Sequence, residues 1–133
     1  MGKESGIIDG FGCVFLYSNK PAELVAWYER HFDMAFTPYE DNKNYGAEFV
    51  TIDSVDPKEK KATLFSIQKR KDQLPEGVRI QQTLNFRVVD LGAVVNHLVA
   101  KGAVIDSQSA YDFGKFASLK DGDGNQIELF EPL

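Results

Sequence analysis

The stretch "KDGDGNQIELFEP", Lys120–Pro132, joins a turn rich in glycine, aspartate and asparagine to a short apolar segment. Acidic and amide side chains alternate from Asp121 to Asn125, as they do in an EF-hand calcium loop. Such a loop needs glycine at its sixth position and glutamate at its twelfth, where this stretch has Gln126 and Pro132. The stretch therefore predicts a tight turn between two strands, "FASLK" and "QIELF".

Glu128 lies in the middle of the second of these predicted strands. Alternation places Ile127 and Leu129 on one face, so Glu128 shares the other face with Gln126 and Phe130. A carboxylate at the centre of a strand face is a candidate functional group.

The chain on either side of this stretch repeats one order of elements. The first half contains a strand, "FGCVFLYS", a helix, "NKPAELVAWYERHF", with Asn19 as N-cap, and the strands "AFTPYE", "AEFVTID" and "ATLFSIQ". The second half contains the strand "IQQTLNFRVV", the helix "DLGAVVNHLVAKG" capped by Asp90, and the strands "AVIDS", "KFASLK" and "QIELF". The pattern predicts an α+β fold of two β-α-β-β-β modules in tandem, about 8–69 and about 79–133. We expect them to form one pseudo-twofold domain, 1–133, with a shared cleft.

The composition of the chain indicates which partners it is not expected to bind non-specifically and in which cellular compartment it is expected. The 133 residues include 43% hydrophobic residues and carry a net charge of -5, which argues against non-specific binding to nucleic acid or anionic membranes. Cys13 is the only cysteine, and the first residues lack the apolar run of a signal peptide, so a cytoplasmic protein is expected. Cys13 belongs to the apolar run "GCVFLY", which predicts a buried small hydrophobic residue.

The paired modules, the segments "WYERHFDM" and "HLVAKGA", and the closing "DGDGNQIELFEP" resemble the vicinal oxygen chelate superfamily. That superfamily contains glyoxalase I, bleomycin-resistance proteins, extradiol dioxygenases and methylmalonyl-CoA epimerase. The resemblance covers nearly the whole chain. The usual closing motif has proline and this chain has Gly122, and Asp33 replaces the glycine that usually ends the first helix.

The resemblance implies four metal-ligand positions, one early in the first strand and one in the last strand of each module. Glu128 falls on one of the last-strand positions. Counting back from the predicted helix caps places the two first-strand positions at about Gly12 and Thr83, and the remaining position falls at about Phe65. Glycine and phenylalanine have no donor side chain, and a lone threonine hydroxyl is a poor ligand for zinc, nickel or ferrous iron. His31 and His97 are expected to face solvent. We therefore expect no metal site and no cofactor, with a shifted register through Gln82 as the alternative.

Other side chains around Glu128 define a candidate ligand site. Thr83, Asn85 and Arg87 share the facing side of the neighbouring strand if alternation holds. Arg87 either pairs structurally with Glu128 or leaves it available to a ligand. Four aromatic residues are candidates either for the core or for a pocket. They are Trp27, Phe65, Phe116 and Phe130.

Three functions remain open at this point. The leading hypothesis is a metal-free binding protein of the bleomycin-resistance type that holds a small aromatic or cationic molecule. The second is an enzyme, a glyoxalase-like lyase or isomerase or a dioxygenase-like protein, with Glu128 as metal ligand or general base. The third is a structural or regulatory dimerisation module. A homodimer is expected, because in related proteins a second chain commonly completes the cleft.

Overall fold

The computed structural model describes residues 11–52, 58, 60–72, 74–78 and 82–133. The first five elements are β1 (Cys13–Ser18), α1 (Pro21–Phe32), β2 (Thr37–Tyr39), β3 (Asn44–Ile52) and β4 (Lys60–Lys69). The next five are β5 (Thr83–Arg87), α2 (Leu91–Ala100), β6 (Ser107–Tyr111), β7 (Gly114–Lys120) and β8 (Gln126–Pro132). This repeated order confirms the predicted α+β class with two β-α-β-β-β modules in tandem.

The strands form two four-stranded sheets, with the orders β1-β4-β3-β2 and β5-β8-β7-β6. In each sheet the first and last strands of the module pair in parallel, and the other neighbours are antiparallel. The last strand of each module therefore lies beside its first strand. This pairing brings residues of β5 and β8 together although they are far apart in the sequence.

The sixth strand lies later in the chain than predicted. The sequence pattern predicts a strand at "AVIDS", but β6 begins at Ser107 and contains "SQSAY". Val104 is 76% exposed and belongs to the connection that follows α2. Every side chain of β6 is exposed, so this strand has no alternation of apolar and polar residues for a sequence pattern to detect.

The helices begin at residues whose local chemistry favours a helix start. Helix α1 begins at Pro21, one residue later than a cap at Asn19 predicts, because proline suits the first helical position and has no N–H to satisfy. Asp90 caps α2 as predicted and accepts a hydrogen bond from the Ala93 backbone N–H at 3.1 Å. Neither helix of the described chain has the length and apolar character that crossing a bilayer requires.

The structure divides into two compact units. The first contains β1 and β2–β4, and the second contains α1 from Glu23 onward, β5, α2 and β6–β8. In the second unit α2 packs against β7 and β8. The core of these two strands consists of Ala117, Leu119, Ile127 and Leu129, none more than 1% exposed. The predicted pseudo-twofold relation and shared cleft stay predictions.

The first sheet corrects the prediction for Cys13. Alternation along β1 buries Leu16, which is 1% exposed, and places Cys13 on the other face with Phe15 and Tyr17. That face is open, and the Cys13 side chain is exposed. The prediction of a buried cysteine is wrong because the run "GCVFLY" is apolar on both faces of the strand, so the run alone does not show which face is covered.

Asp121 organises the closing turn from the inside. It is 6% exposed, and its Oδ1 accepts hydrogen bonds from the backbone N–H groups of Asp123 and Asn125, each at 2.9 Å. Its Oδ2 accepts from Asn125 Nδ2 at 2.8 Å and from the Tyr28 hydroxyl at 2.7 Å. The predicted tight turn between two strands is confirmed, and Asp121 also ties it to α1.

The buried hydrogen bond between Tyr28 and Asp121 predicts a dependence of stability on alkaline pH. Burial, followed by the Asp121 charge, raises the pKa of Tyr28 far above its usual value. Because the unfolded chain releases this proton near about pH 10 and the folded chain keeps it, the stabilisation is full below that pH and falls by about 1.4 kcal/mol per unit above it.

Tyr28→Phe is therefore expected to remove this alkaline loss of stability. At neutral pH the variant should lose about 2 kcal/mol, because Asp121 loses one donor. Urea unfolding of both proteins, followed from neutral pH to about pH 11, measures the difference in slope. Parallel curves for wild type and variant above about pH 10 would contradict the expectation.

Candidate functional site

One face of the second sheet carries polar and half-buried aromatic side chains. Along β8, Ile127 and Leu129 are buried on one face, and Glu128 is partly exposed on the other. The registers of β5 and β7 with β8 place side chains from three strands around Glu128. On these three strands the open face consists of Thr83, Asn85, Arg87, Gly114, Phe116, Ser118, Lys120, Gln126, Glu128 and Phe130.

Six of the seven predicted site residues lie together on the open face, and Phe65 does not. Phe65 belongs to β4 of the first sheet, where it is 3% exposed. Its ring centroid lies 6.0 Å from that of Phe36. Phe65 is therefore a core residue of the first unit, and we exclude it from the site.

The register of the first sheet gives the residue that corresponds to Glu128. In the second sheet Asn85 pairs with Glu128, and Asn85 lies six residues before the first residue of α2. The residue six positions before the start of α1 is Phe15, and its partner is Ser66. The counterpart of Glu128 is therefore Ser66, and Phe65 points to the opposite face of the sheet. The same one-residue shift replaces Gly12 with Cys13 as the counterpart of Thr83.

Glu128 is hydrogen-bonded to Asn85 and not to Arg87. Asn85 Nδ2 donates to Glu128 Oε1 at 2.7 Å, across a directly opposed pair in the parallel register. Arg87 lies opposite Phe130 instead, and within the described part of the chain no hydrogen bond or ion pair reaches its guanidinium. The suggested Arg87–Glu128 pair is therefore wrong, because the register gives Glu128 a neutral partner at hydrogen-bonding distance.

A second polar pair continues this row across the sheet. Ser118 lies opposite Glu128 in the antiparallel register with β7, and its hydroxyl is 2.6 Å from that of Ser107 on β6. The row from β5 to β6 is therefore an amide, a carboxylate and two hydroxyls.

An aromatic cluster lies next to the polar row. The rings of Phe116 and Phe130 stack with centroids 4.8 Å apart and planes 19° apart. Tyr111 and Phe113 present their rings edge-on to Phe116 at 5.9 and 5.8 Å. Both are more than half exposed, at 57% and 62%. Sequence reasoning missed these two rings, although the aromatic spacing in "AYDFGKF" is typical of a short hairpin with aromatic side chains around its turn.

Gly114 fixes the position of the Phe130 ring. A Cβ atom at this position would lie 2.5 Å from Phe130 Cε1 and 2.7 Å from the backbone oxygen of Glu131. Neither distance is possible without movement, so only glycine leaves room for Phe130 to lie where it stacks on Phe116.

The histidines and Trp27 lie on the helices and not on the open face. His31 is only 6% exposed, its Nδ1 is 2.9 Å from the Trp27 backbone oxygen, and its ring stacks on the Trp27 ring at 4.2 Å. The prediction that His31 faces solvent is therefore wrong, because stacking on the same helix covers it. His97 is partly exposed, and its Nε2 lies 3.7 Å from Asp33 Oδ2. Trp27 also contacts the closing turn, since a Cβ on Gly122 would lie 3.0 Å from its ring.

The donor set of the open face does not fit the metal ion of metal-dependent relatives. Among the described residues on this face, Glu128 is the only carboxylate, histidine or cysteine, and a single threonine hydroxyl from Thr83 adds little affinity. Gln82 donates to Asn125 Oδ1 at 3.1 Å, so the alternative ligand is engaged elsewhere. Among the residues that the structure describes, no three His, Cys, Asp or Glu side chains are close enough to share an ion.

Comparison with known families gives one match that covers most of the chain. The model described as Glyoxalase/Bleomycin resistance protein/Dioxygenase superfamily matches residues 10–129. No curated protein sequence matches the chain.

Solved structures share the fold at low sequence identity. TnmS3, described as an antibiotic binding protein from Streptomyces sp. CB03234, is 18% identical, with a TM-score of 0.71 over 96% of this chain and 98% of that one. A lactoylglutathione lyase from Agrobacterium tumefaciens is 12% identical, with a TM-score of 0.68 over 94% and 95%. TioX from Micromonospora sp. ML1 is 15% identical, with a TM-score of 0.67 over 93% and 99%. At these identities the likeness concerns the fold alone.

Proposed function

Because the chain belongs to the Glyoxalase/Bleomycin resistance protein/Dioxygenase superfamily, we propose that it is a small-molecule-binding protein that works without a bound metal ion. The ligand lies on the open face of the second sheet, with its polar group at Glu128 and its apolar part on Phe116 and Phe130. The observation that carries the proposal is the Asn85–Glu128 hydrogen bond beside this stacked pair of rings.

The physical chemistry of the open face supports binding better than a purely structural role. Phe116 and Phe130 remain partly exposed, and a ligand that covers them removes apolar surface from water. Glu128 is also partly exposed, so its carboxylate stays solvated and available. A small number of polar groups beside apolar surface is the usual composition of a small-molecule site. The fold relative described as an antibiotic binding protein supports the same class of function.

Glu128→Gln tests whether the carboxylate serves binding or stability. We expect the free energy of unfolding to fall by less than about 1 kcal/mol, because the side chain is partly exposed and the new amide oxygen still accepts from Asn85. Thermal melts with a library of aromatic and cationic compounds should identify at least one ligand that stabilises wild type and not the variant.

Glu76→Gln is the matched control, since it removes the same charge from an exposed residue outside both sheets. This control should bind the ligand as wild type does. A large melting loss in Glu128→Gln, together with no ligand for wild type, would show that Glu128 is structural and would refute the proposal at this site.

A second candidate function is a lyase or isomerase in which Glu128 is the general base. The observation in its favour is that the carboxylate is partly exposed and that its hydrogen-bond partner among the described residues, Asn85, is neutral, so a substrate proton could reach it. Transfer of a carbon-bound proton to Glu128 would let deuterium enter a bound carbonyl compound in D₂O. NMR detection of such incorporation, lost in Glu128→Gln, would favour the enzyme over the binding protein.

We also propose that the protein is a cytoplasmic homodimer. Phe15, Tyr17 and Val50 of the first unit are 49%, 46% and 55% exposed, and a second copy would cover apolar surface of this kind. Sedimentation velocity at micromolar concentration and above tests the assembly. A monomer that persists as the concentration rises would refute the homodimer.

A further inference from the structure

The Asn85–Glu128 pair offers a ligand mainly hydrogen-bond acceptors. Asn85 uses one amide hydrogen on Glu128 Oε1, and only its nitrogen can donate to a carboxylate, so its Oδ1 is left as an acceptor. An ionised carboxylate has about four acceptor sites, of which the Asn85 bond takes one. The ligand group that best matches these acceptors therefore carries a positive charge and several N–H donors.

The neighbouring rings favour a flat, delocalised cation. Phe130 lies two residues from Glu128 on the same strand face, a separation of about 7 Å along the strand. Phe116 stacks on Phe130 and widens the aromatic surface. A cation near the faces of such rings is attracted to them, and a planar cation conjugated to an aromatic ring contacts both the carboxylate and the rings without bending.

From this geometry we infer that the open face recognises a planar amidinium or guanidinium group joined to an aromatic ring. The two parallel N–H bonds of such a group match the two oxygens of Glu128, while its ring lies on Phe130. A tetrahedral ammonium cannot direct two parallel N–H bonds at the two oxygens of one carboxylate, and it has no plane to align with the rings. The inference rests on the proposed function, because it names the ligand class of the same site.

Two cations of the described strands lie on the open face, Arg87 and Lys120. The Lys120 ammonium is paired with Asp106 Oδ2 at 3.0 Å, so Arg87 provides the main opposing charge. It lies opposite Phe130 and is exposed, so its guanidinium is close enough to favour an anionic ring substituent and to disfavour a cationic one. Its charge is screened by solvent, whereas a ligand at Glu128 makes direct hydrogen bonds. The inference therefore requires Glu128 to outweigh Arg87, and compounds of opposite charge measure which residue dominates.

Benzamidine, benzamide and benzoate form the test set, because all three are flat and similar in size. They differ in charge, since benzamidine is a cation, benzamide is neutral and benzoate is an anion. Titrations of ¹⁵N-labelled protein follow the backbone signals of the open face and the side-chain amide of Asn85. We expect benzamidine to bind at least about tenfold more tightly than either analogue, the size of one charge-assisted hydrogen bond. Glu128→Gln should abolish this preference, and Glu76→Gln should retain it.

Arg87→Gln is the second variant, and the two charges predict opposite effects. Benzamidine should bind the variant somewhat more tightly than wild type, and benzoate more weakly. Benzoate or benzamide binding to the open face as well as benzamidine does would overturn the inference while leaving the proposed function intact. If none of the three compounds, nor any compound of the wider library, shifts the open-face signals, both the inference and the proposed function are refuted.

Discussion

Replacing Asp121 with alanine is expected to lower the free energy of unfolding by about 4 kcal/mol. The side chain is 6% exposed and accepts four hydrogen bonds, two from backbone N–H groups, one from Asn125 and one from the Tyr28 hydroxyl. Alanine leaves all four donors without this partner, and the Tyr28 hydroxyl is in a buried position. The side-chain hydrogen bonds of the closing turn and the link of this turn to α1 are lost together.

Urea unfolding measured by circular dichroism gives the size of the effect. Asp112→Ala is the control, because it removes an exposed aspartate from the turn between β6 and β7 in the same unit, and we expect little change. Combining Asp121→Ala with Tyr28→Phe should cost less than the sum of the single changes, since both remove the same bond. A loss of less than about 1 kcal/mol for Asp121→Ala would contradict a structural role for the buried carboxylate.

Gly114→Ala is expected to cost about 2–3 kcal/mol of stability and to weaken ligand binding on the open face. The added Cβ would lie 2.5 Å from Phe130 Cε1 and 2.7 Å from the Glu131 backbone oxygen. The ring can rotate away, but the backbone oxygen is held in β8, so the hairpin itself must shift. Rotation of the ring and a shift of the hairpin would each move Phe130 away from Phe116. In the wild-type protein the centroids of these two rings are 4.8 Å apart.

Gly92→Ala is the matched control for the glycine substitution. The new Cβ would make only an ordinary contact, 3.6 Å from Asp90 Oδ1, and alanine favours the helical conformation of α2. We expect a gain of up to about 1 kcal/mol and unchanged ligand binding. If Gly114→Ala is as stable as wild type and binds the same compounds, the close approach of Phe130 to Gly114 does not determine the shape of the site.

Much of the open face could be predicted because successive side chains of a strand point to opposite faces of the sheet. The alternation of "QIELF" separates Glu128 from Ile127 and Leu129, and the alternation of "TLNFR" places Asn85 and Arg87 on one face. The closing turn and the cap at Asp90 follow from local chemistry in the same way. These features need no information beyond a few neighbouring residues.

The partners across strands and the covered faces depended on the tertiary structure. Whether Asn85 or Arg87 reaches Glu128 is set by the register of β5 with β8, and a shift of two residues would exchange them. The counterpart of Glu128 in the first sheet depends on register in the same way, since β1 pairs Phe15 with Ser66 and Phe65 points to the opposite face of β4.

The sequence by itself determined the order of elements, the two modules, the family resemblance and the face on which Glu128 lies, because periodicity and turn chemistry act over a few residues. Only the tertiary structure decided that Cys13 is exposed, that His31 is buried beneath Trp27, and that Tyr111 joins the aromatic cluster. Burial depends on which surface packs against a strand or helix, and that surface comes from residues distant in the chain. A local pattern therefore shows where a side chain points and leaves open what it meets there.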